Sequence, residues 1–345
     1  MQEKSIVFIV EKPSAMKALA PHLSARWPGR RIYAVQTFRV GLYEFKYKHG
    51  LRTVDFPYVG DPEWKIRLPY EWSSVWEITG RNVVPTFCEN ERTFLHEDLL
   101  KNASSIVFAA DPDPSGAFAF HVLLSKSLGE NAANARWPAI KLTSYDAASI
   151  EQAIDASCTT HDEWFKSNRN AGLARRFFDY NYNINAMAFF SHALFPNLAQ
   201  VVDPMTTRSG AQPYQVSKYG LQLLYALRDQ PLQERPEGVL WEVFHKMKNW
   251  TGTGRYPPCP LGSVTSQGEI VQGLHSSGLM EHAELSPSGR AFLDRLHPDC
   301  CDPDLPARIR IWEQDWPGSR PSMERYLRTF FGKQKRYRPR KAQAV

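Results

Sequence analysis

Three acidic side chains follow two short apolar runs that lie far apart in the chain. Glu11 comes directly after the run Ile6–Val10, and Asp111 and Asp113 come soon after the run Ile106–Phe108. If the two runs are neighbouring strands of one parallel sheet, the carboxylates converge at its carboxyl edge, where α/β proteins bind their ligands. Close carboxylates repel one another, and a hard divalent cation such as Mg²⁺ relieves that repulsion. A metal held there can stabilise developing charge in phosphoryl transfer. We therefore predict Glu11, Asp111 and Asp113 as metal ligands and, if the protein is an enzyme, as its catalytic residues.

The same residues also have a purely structural interpretation. An Asp-Pro-Asp-Pro sequence is ordinary turn and helix-cap chemistry, because an aspartate accepts hydrogen bonds from the first free amides of a helix. Glu11 could equally be a solvated side chain at the end of a strand. Gly116 would let the backbone approach a phosphate at the start of the next helix, where an anion is favoured. The residue types and their spacing leave the metal site and the turn as open alternatives.

Two strand-to-helix junctions must position these carboxylates. The run Ser5–Val10 predicts a strand buried on both faces, and Pro13 suits the first turn of the helix that follows, because its missing N–H would be unpaired there. The run Ser105–Ala110 repeats this pattern ahead of a helix predicted from Ala117 to Leu128, with Gly129 as its C-cap. We therefore predict an α/β domain with a parallel sheet of about four strands flanked by helices.

The whole chain divides into three predicted regions. The first domain spans residues 1–147 and includes an insertion, rich in aromatics and prolines, at about residues 33–85. A mostly helical module spans residues 148–331, and one helical region is expected to continue from Ala148 through Phe190. A basic tail covers residues 332–345.

The composition is that of a globular protein from a reducing compartment. The 345 residues are 43% hydrophobic and 23% charged, which allows two or three modest domains. The five cysteines show no C-x-x-C spacing, so we expect neither a disulfide framework nor a zinc ribbon. The polar start of the chain is unlike a signal peptide, and the apolar run after it is too short to span a membrane. We expect a cytoplasmic protein that does not associate with membranes.

Positive charge is concentrated at the end of the chain. The formal net charge is +6, a mild excess that does not by itself identify a partner. The tail is either a disordered solubilising segment or an arm that binds phosphates. Its cationic residues are Lys333, Lys335, Arg336, Arg338, Arg340 and Lys341.

Two blocks of sequence surround the predicted strand ends. They read IVFIVEKPSAMKAL, from residue 6, and IVFAADPDPSGAFAF, from residue 106. Both resemble the Toprim domain of type IA DNA topoisomerases, particularly the topoisomerase III branch. The resemblance implies that Glu11 is the Toprim acid and that Asp111 and Asp113 are its Asp-x-Asp pair. It also implies that Lys12 matches a lysine that lies near the scissile phosphate in that family.

Weaker similarity continues along the chain in the same order. The block NAGLARRFFDYNYNINAM, from residue 170, is similar to a family helix that carries Ala-Arg-Arg. The similarity implies phosphate contacts for Arg175 and Arg176, with Phe177 or Tyr180 stacking on bases. The blocks from residues 206 and 262 resemble a serine-glycine helix start and the winged-helix-like part of the fourth topoisomerase domain.

The chain departs from the family pattern at two places. Pro114, Ser115 and Ala117 replace an arginine and two glutamates of the acidic motif, so Mg²⁺ binding should be weaker. Only residues 228–262 stand where the family has the gate that carries its catalytic tyrosine. A typical domain needs on the order of a hundred residues, so we expect topoisomerase activity to be absent.

These observations favour a non-cleaving, topoisomerase IA-like protein that grips single-stranded or unwound DNA. It would act as an accessory factor in replication, recombination or plasmid transfer. One alternative is a metal-dependent Toprim nuclease or nucleotidyl transferase, and another is a structural subunit that binds a protein partner. The predicted DNA-binding residues are Lys12, Arg175, Arg176, Lys335, Arg336, Arg338 and Arg340.

Overall fold

Apolar runs predicted as strands form the centre of a mixed sheet. The computed structural model describes residues 5–37, 43–66, 75–86, 95–194, 216–232 and 238–338. Contacts divide the chain into a first unit, Met1–Lys46 with Glu63–Ala174, and a second unit, Tyr47–Pro62 with Arg175–Val345. The sequence assigned three regions to a Toprim domain, a topoisomerase-like module and a tail. These assignments stay a prediction.

The first unit contains nine strands and five helices among its described residues, and the start of a sixth helix. They are β1 (Ile6–Val10), α1 (Pro13–Arg26), β2 (Ile32–Gln36), β3 (Tyr43–Phe45), β4 (Trp64–Ile66), β5 (Val75–Thr79), β6 (Asn82–Pro85), α2 (Leu95–Asn102), β7 (Ser105–Phe108), α3 (Pro114–Leu128), α4 (Glu130–Ala133), β8 (Pro138–Ala139), α5 (Ala147–Asp155), β9 (Cys158–Thr159) and α6 (Glu163–Leu194), of which residues 163–174 belong to this unit.

Seven of these strands form one sheet in the order β6-β5-β2-β1-β7-β8-β9. The four central strands, β2, β1, β7 and β8, are parallel to one another, as the sequence predicted. β5, β6 and β9 are antiparallel to the strands they pair with, so the sheet is mixed rather than wholly parallel. The reason for the β5–β6 pairing is local, because a turn at Gly80 and Arg81 joins them directly and such a short connection can only join antiparallel strands.

The insertion expected at residues 33–85 is therefore partly wrong. β2 lies almost entirely within that range, yet it pairs with β1 along its whole length, from Ile6 opposite Ile32 to Val10 opposite Gln36. β5 and β6, from the same range, extend the sheet beyond β2. The residues that looked like an added segment supply a central strand, since the pattern Ile-Tyr-Ala-Val is too short to be distinguished from an edge piece by periodicity alone.

The sheet is buried on both faces, which explains the continuous apolar character of β1. Val7 and Ile9 face one core, which includes Phe108 and Phe120, and Phe8 and Val10 face a second core on the other side. All five residues of β1 are buried. A strand covered on both sides has no polar face, so alternation is absent from its sequence.

The second unit is mainly helical in its described residues. After the remainder of α6 it contains α7 (Lys218–Asp229), α8 (Trp241–Lys248), α9 (Val264–Ser276), β10 (Met280–Glu281), β11 (Glu284–Leu285), α10 (Pro287–Asp294), α11 (Leu305–Gln314) and α12 (Arg320–Arg336). β10 and β11 form a small antiparallel hairpin between α9 and α10. The winged-helix-like assignment of this part stays a prediction. None of the helices in the described ranges combines the length and the apolar character that a membrane span requires.

Helix α6 does not begin where the sequence predicted. The helical region expected from Ala148 through Phe190 is interrupted between α5 and α6, where Ser157 has a φ of 49° and β9 joins the sheet. Asp162 accepts hydrogen bonds from the backbone and the hydroxyl of Thr159 at 3.0 and 2.9 Å. A carboxylate that bonds to backbone nearby competes with helix formation, which accounts for the break.

Two buried asparagines on α6 hold the segment at residues 47–62 in the second unit. Asn185 accepts a hydrogen bond from the amide of Tyr58 at 2.8 Å and donates one to its carbonyl at 2.6 Å. Asn181 does the same for Gly60, at 2.8 and 2.9 Å. Both asparagines are fully buried. Each side-chain amide thus replaces the partner that a neighbouring strand would provide, and we call this pair the asparagine clamp.

Candidate functional site

The parallel pairing of β1 with β7 brings together the two strand ends that carry the acidic residues. Ile9 lies opposite Phe108, and the amide of Ala109 donates to the carbonyl of Ile9 at 2.9 Å. Glu11 and the loop from Asp111 therefore leave the same edge of the sheet side by side. The predicted neighbouring of these two strands is confirmed.

Asp111 is held by two partners at this edge. The ammonium of Lys12 donates to its Oδ2 at 2.5 Å, and the hydroxyl of Tyr145 donates to its Oδ1 at 3.0 Å. The hydrogen bond to Asp111 raises the pKa of Lys12. Burial, together with the hydrogen bond to Asp111, raises the pKa of Tyr145 to about 12. Both oxygens of the carboxylate are engaged, and Tyr145 is a site residue that the sequence interpretation missed.

Asp113 takes the structural role that the sequence left open. Its side chain accepts a hydrogen bond from the amide of Gly116 at 2.8 Å, so it is the N-cap of α3. Pro114 occupies the first position of that helix, where its missing N–H is harmless. Asp113 is exposed, and its capping bond uses one of its two carboxylate oxygens.

Glu11 has the most perturbed carboxyl group of the three. Burial, with repulsion from Asp111 and Asp113, raises its pKa to about 7, although Lys12 acts in the opposite direction. Its Oε2 is buried and has no hydrogen-bond partner among the described residues. A buried, unpaired oxygen in a negative environment is costly, so this carboxyl has unmet capacity for a proton or a cation.

The fit of a divalent cation to these residues is mixed. Carboxylate oxygens are the donors that Mg²⁺ prefers, and the free oxygen of Glu11 is a suitable ligand. Lys12, however, already neutralises Asp111. Within the described ranges, no three His, Cys, Asp or Glu residues are grouped closely enough to hold a metal. The Mg²⁺ site at Glu11, Asp111 and Asp113 therefore stays a prediction, and metal entry would require Lys12 to move.

Close backbone packing fixes the loop that carries Asp111. A Cβ on Gly116 would lie 2.2 Å from the carbonyl oxygen of Asp111, and a Cβ on Gly172 would lie 2.3 Å from the carbonyl oxygen of Pro114. The side chain of Asn168 donates to the carbonyl of Pro112 at 3.0 Å. Asn168 and Gly172 lie on the first part of α6 and were missed from the sequence. A glycine inside a helical pattern was the available indication, because such glycines commonly mark close approach.

Arg175 and Arg176, predicted to contact DNA, are both engaged with acids of the second unit. Arg175 makes a bidentate pair with Glu313, at 2.8 and 3.1 Å, and Arg176 lies 3.7 Å from Asp179. Asp179 also accepts from Lys218. Burial lowers the pKa of Arg176. The predicted role of the two arginines in DNA binding stays untested, but contact with a phosphate would require them to leave these carboxylates.

The predicted stacking of aromatic residues beside these arginines on bases is wrong. Phe177 and Tyr180 are 1% and 0% exposed. Phe177 packs against Trp316, and Tyr180 stacks on Tyr47 with ring centroids 5.4 Å apart. Since α6 buries this face in the core of the second unit, no base can reach either ring.

The predicted basic tail begins later than the sequence indicated. Helix α12 continues to Arg336, because Met323, Leu327, Phe330 and Phe331 form a buried face along it. Lys335 donates to the carbonyl of Phe56 at 2.7 Å. Arg336 is exposed at the end of the helix. Arg338 donates to backbone carbonyls of Lys335 and Tyr337, at 3.2 and 3.0 Å, and Arg340 lies outside the described residues.

Comparison with solved structures finds several neighbours of this chain, one of which is a topoisomerase. The chain is similar to full-length topoisomerase I from Thermotoga maritima, with 14% sequence identity and a TM-score of 0.38. The match covers 65% of this chain and 30% of the topoisomerase chain. No protein-family model matches the sequence, and no curated protein matches it either. A similarity of this degree supports no conclusion about function.

Proposed function

We propose that this protein binds DNA through its phosphates, gripping single-stranded or unwound DNA without cleaving it, as an accessory factor in replication, recombination or plasmid transfer. The observation that carries the proposal is the arrangement at the carboxyl edge of the sheet. Glu11 and Lys12 follow β1, Asp111 follows β7, and the three lie together at the position where α/β sheets bind phosphate-containing ligands. The resemblance of the sequence blocks to Toprim domains narrows the ligand to DNA.

Lys12 is the residue of this edge best placed to contact a phosphate. It is exposed, it is the N-cap residue of α1, and among the described residues it forms its ion pair with Asp111. A phosphate oxygen can replace the carboxylate as acceptor, because the ammonium group is a compact charge on a flexible stem. The paired acid would hold the lysine at the edge until DNA arrives.

Two features of the chain support the proposed absence of cleavage. Only residues 228–262 stand where a type IA enzyme would have its gate and catalytic tyrosine. Tyr225, which precedes that interval, is 2% exposed, and burial raises the pKa of its hydroxyl. A tyrosine in this state is a poor nucleophile, since it is neither accessible nor easily ionised.

The proposal is tested by measuring binding of labelled oligonucleotides by fluorescence anisotropy. We expect single-stranded DNA to bind more tightly than duplex, with an affinity that falls steeply between about 50 and 200 mM salt, because phosphate contacts release counterions. Binding that is undetectable even at the lowest salt would refute the proposal. The same oligonucleotide should be recovered intact after incubation.

A metal-dependent phosphoryl transferase is the second candidate, and the state of Glu11 favours it. The unpaired Oε2 and the raised pKa of Glu11 are what a carboxylate awaiting a cation would show. Glu11, Asp111 and Asp113 would hold Mg²⁺. The bound ion would neutralise the negative charge of a phosphate. Incubation of end-labelled DNA with Mg²⁺ or Mn²⁺ distinguishes the candidates. Products that form with the wild-type chain and disappear with Asp111→Asn would establish the enzyme.

A further inference from the structure

Three arginines of α12 lie along one side of the helix and line an open cleft. Arg325, Arg328 and Arg336 are all exposed, and we call them the arginine stripe. The cleft has a volume of about 490 Å³. At about 100° and 1.5 Å per residue, the three side chains fall within a quarter of the helix circumference and span about 16 Å along its axis. The other lining residues are Pro321, Glu324 and Thr329.

The charges of the arginine stripe are not compensated within the described part of the chain. None of its three guanidinium groups forms an ion pair with a described residue, whereas the neighbouring Arg320 pairs with Asp61 at 2.8 Å. Glu324, the acid in the lining, is already bound to Arg320 at 2.9 Å. The lining of the cleft contains three arginines and one glutamate, so the cleft carries a net positive charge even when Glu324 is counted in full.

A glycine lies beside two of these arginines on the helix. Gly332 lies between Arg328 and Arg336 on the same side of α12, and a Cβ added there would lie 3.7 Å from Nη1 of Arg336. The guanidinium of Arg336 thus lies back over the preceding turn of the helix, in the direction of Arg328. A glycine in a helix interior costs about 1 kcal/mol relative to alanine, so its presence here is not explained by helix stability.

We propose that the arginine stripe binds the phosphate backbone of single-stranded DNA. The inference rests on the proposed DNA-binding function and assigns it a surface that the sequence interpretation did not include, since Arg325 and Arg328 lie before the predicted tail. A shallow, open cleft suits an extended polyanion rather than a small ligand that must be enclosed. Guanidinium groups match phosphates with two parallel hydrogen bonds.

The test compares two triple variants of the full chain by anisotropy with the same single-stranded oligonucleotide. One carries Arg325→Ala, Arg328→Ala and Arg336→Ala. The control carries Arg30→Ala, Lys248→Ala and Arg290→Ala, three exposed cations that lie outside α12. Both variants lose three positive charges, and neither removes a buried contact. The measured quantity is the slope of log binding constant against log salt concentration. Each lost phosphate contact should reduce the size of this slope by about 0.7, so we expect a reduction of about two for the stripe variant and a much smaller one for the control.

A third variant separates geometry from charge. Replacing the same three arginines by lysines keeps the charge, so we expect it to restore most of the salt slope. If the stripe variant and the control lose affinity equally, the assignment of DNA binding to the arginine stripe is wrong, while the proposed DNA binding of the protein stands. If the wild-type chain binds no DNA at low salt, the proposed function and the stripe both fail. If polyglutamate of equal charge displaces the oligonucleotide as well as unlabelled DNA does, the stripe is a general anion surface and the inference is overturned.

Discussion

Asp111 is bound at both of its oxygens before any ligand arrives. Lys12 and Tyr145 reach it from the end of β1 and from the loop ahead of α5. The sequence predicted that Glu11 and Asp111 would share one edge of the sheet, because both follow apolar runs of the same kind. It could not predict that Lys12 pairs with Asp111, since pairing depends on side-chain conformations and on the position of Tyr145, which no local pattern places near them.

The raised pKa of Glu11 predicts a dependence of stability on pH. The pKa is about 7 in the folded chain, against an ordinary value of 4.5. Between these values the folded state binds more protons than the unfolded state, so the free energy of unfolding falls as pH rises and is lowest above pH 7. Glu11→Gln should therefore stabilise the protein by on the order of 1 kcal/mol at a pH of about 8, a figure reduced for partial exposure.

Urea unfolding of both proteins at two pH values checks this prediction. At a pH of about 4, below the ordinary value of 4.5, the carboxyl is mostly protonated in both states, so the stabilities of wild type and Glu11→Gln should agree closely. A difference that is the same at both pH values would mean that the carboxyl of Glu11 ionises normally. Repeating the measurement with Mg²⁺ adds a second readout, because a cation at this edge would remove the advantage of the variant.

Lys12 should affect cation binding and DNA binding in opposite directions. Lys12→Met leaves Asp111 without its ammonium partner, so Mn²⁺ should bind about two- to fivefold more tightly, as expected for a partly exposed ion pair. Oligonucleotide binding should weaken at the same time. Lys17→Met is the matched control, an exposed lysine on α1. Calorimetry with Mn²⁺ and anisotropy with DNA measure the two effects, and a parallel loss of both affinities would contradict the assigned role.

At the scale of elements, packing against α6 keeps the Asp111 loop in place. Gly172 on α6 has no room for a side chain, because a Cβ would lie 2.3 Å from the carbonyl oxygen of Pro114 and 2.6 Å from Cβ of Phe118. Gly172→Ala should destabilise the first unit by about 1–3 kcal/mol, the usual cost of overpacking. Because α6 would shift from the loop, DNA binding should weaken as well.

Gly268 provides the control for this substitution. It lies inside α9, and a Cβ there would meet nothing within 4 Å. Gly268→Ala should stabilise the protein by up to about 1 kcal/mol through helix propensity alone. Thermal unfolding of both variants checks the pair of predictions, and a neutral Gly172→Ala would show that α6 can move away from the loop at little cost.

The elements also show where sequence patterns reach their limit. The strand–Glu–helix and strand–Asp–helix junctions were predictable, because a buried run followed by a proline-started helix is a local pattern. The antiparallel strands β5 and β6 were not, since residues 33–85 contain short mixed runs without a clear period. The break ahead of α6 depends on the bonds from Thr159 to Asp162, which hydrophobic spacing does not report.

At the scale of the whole molecule, the second unit is assembled from two separate stretches of sequence. Residues 47–62 belong with residues 175–345, although they stand between segments of the first unit. The sequence placed them in the first domain, because proximity along the chain is the default expectation. The asparagine clamp joins them to α6. Asparagines on a helix are usually surface residues, so the sequence did not indicate this contact.

The clamp predicts that the second unit needs the segment for stability. A fragment of residues 175–345 would leave Asn181 and Asn185 without their backbone partners, at a cost of about 1–3 kcal/mol for each unsatisfied group. Added peptide 47–62 should raise its melting temperature in a concentration-dependent way.

Asn185→Ala in the same fragment tests the contact itself, and this variant should lose most of the gain from the peptide. Asn249→Ala is the control, since Asn249 is exposed and its side chain donates to the carbonyl of His245 at 3.1 Å, within the fragment itself. An equal response of the fragment and both variants to the peptide would show that the amides of the clamp do not hold the segment.

In the asparagine clamp, the rise of one helical turn matches the spacing of alternate residues in an extended chain. Asn181 and Asn185 are one helical turn apart, a rise of about 6 Å, while Tyr58 and Gly60 are alternate residues, about 6.6 Å apart if the chain is extended. The spacing of the two asparagines on the helix therefore fixes the spacing of the backbone groups that they bind in the segment beside it. Adding or removing a single residue between 58 and 60 would put one amide opposite a backbone group facing the wrong way, so the length of this stretch should tolerate substitution far better than insertion or deletion.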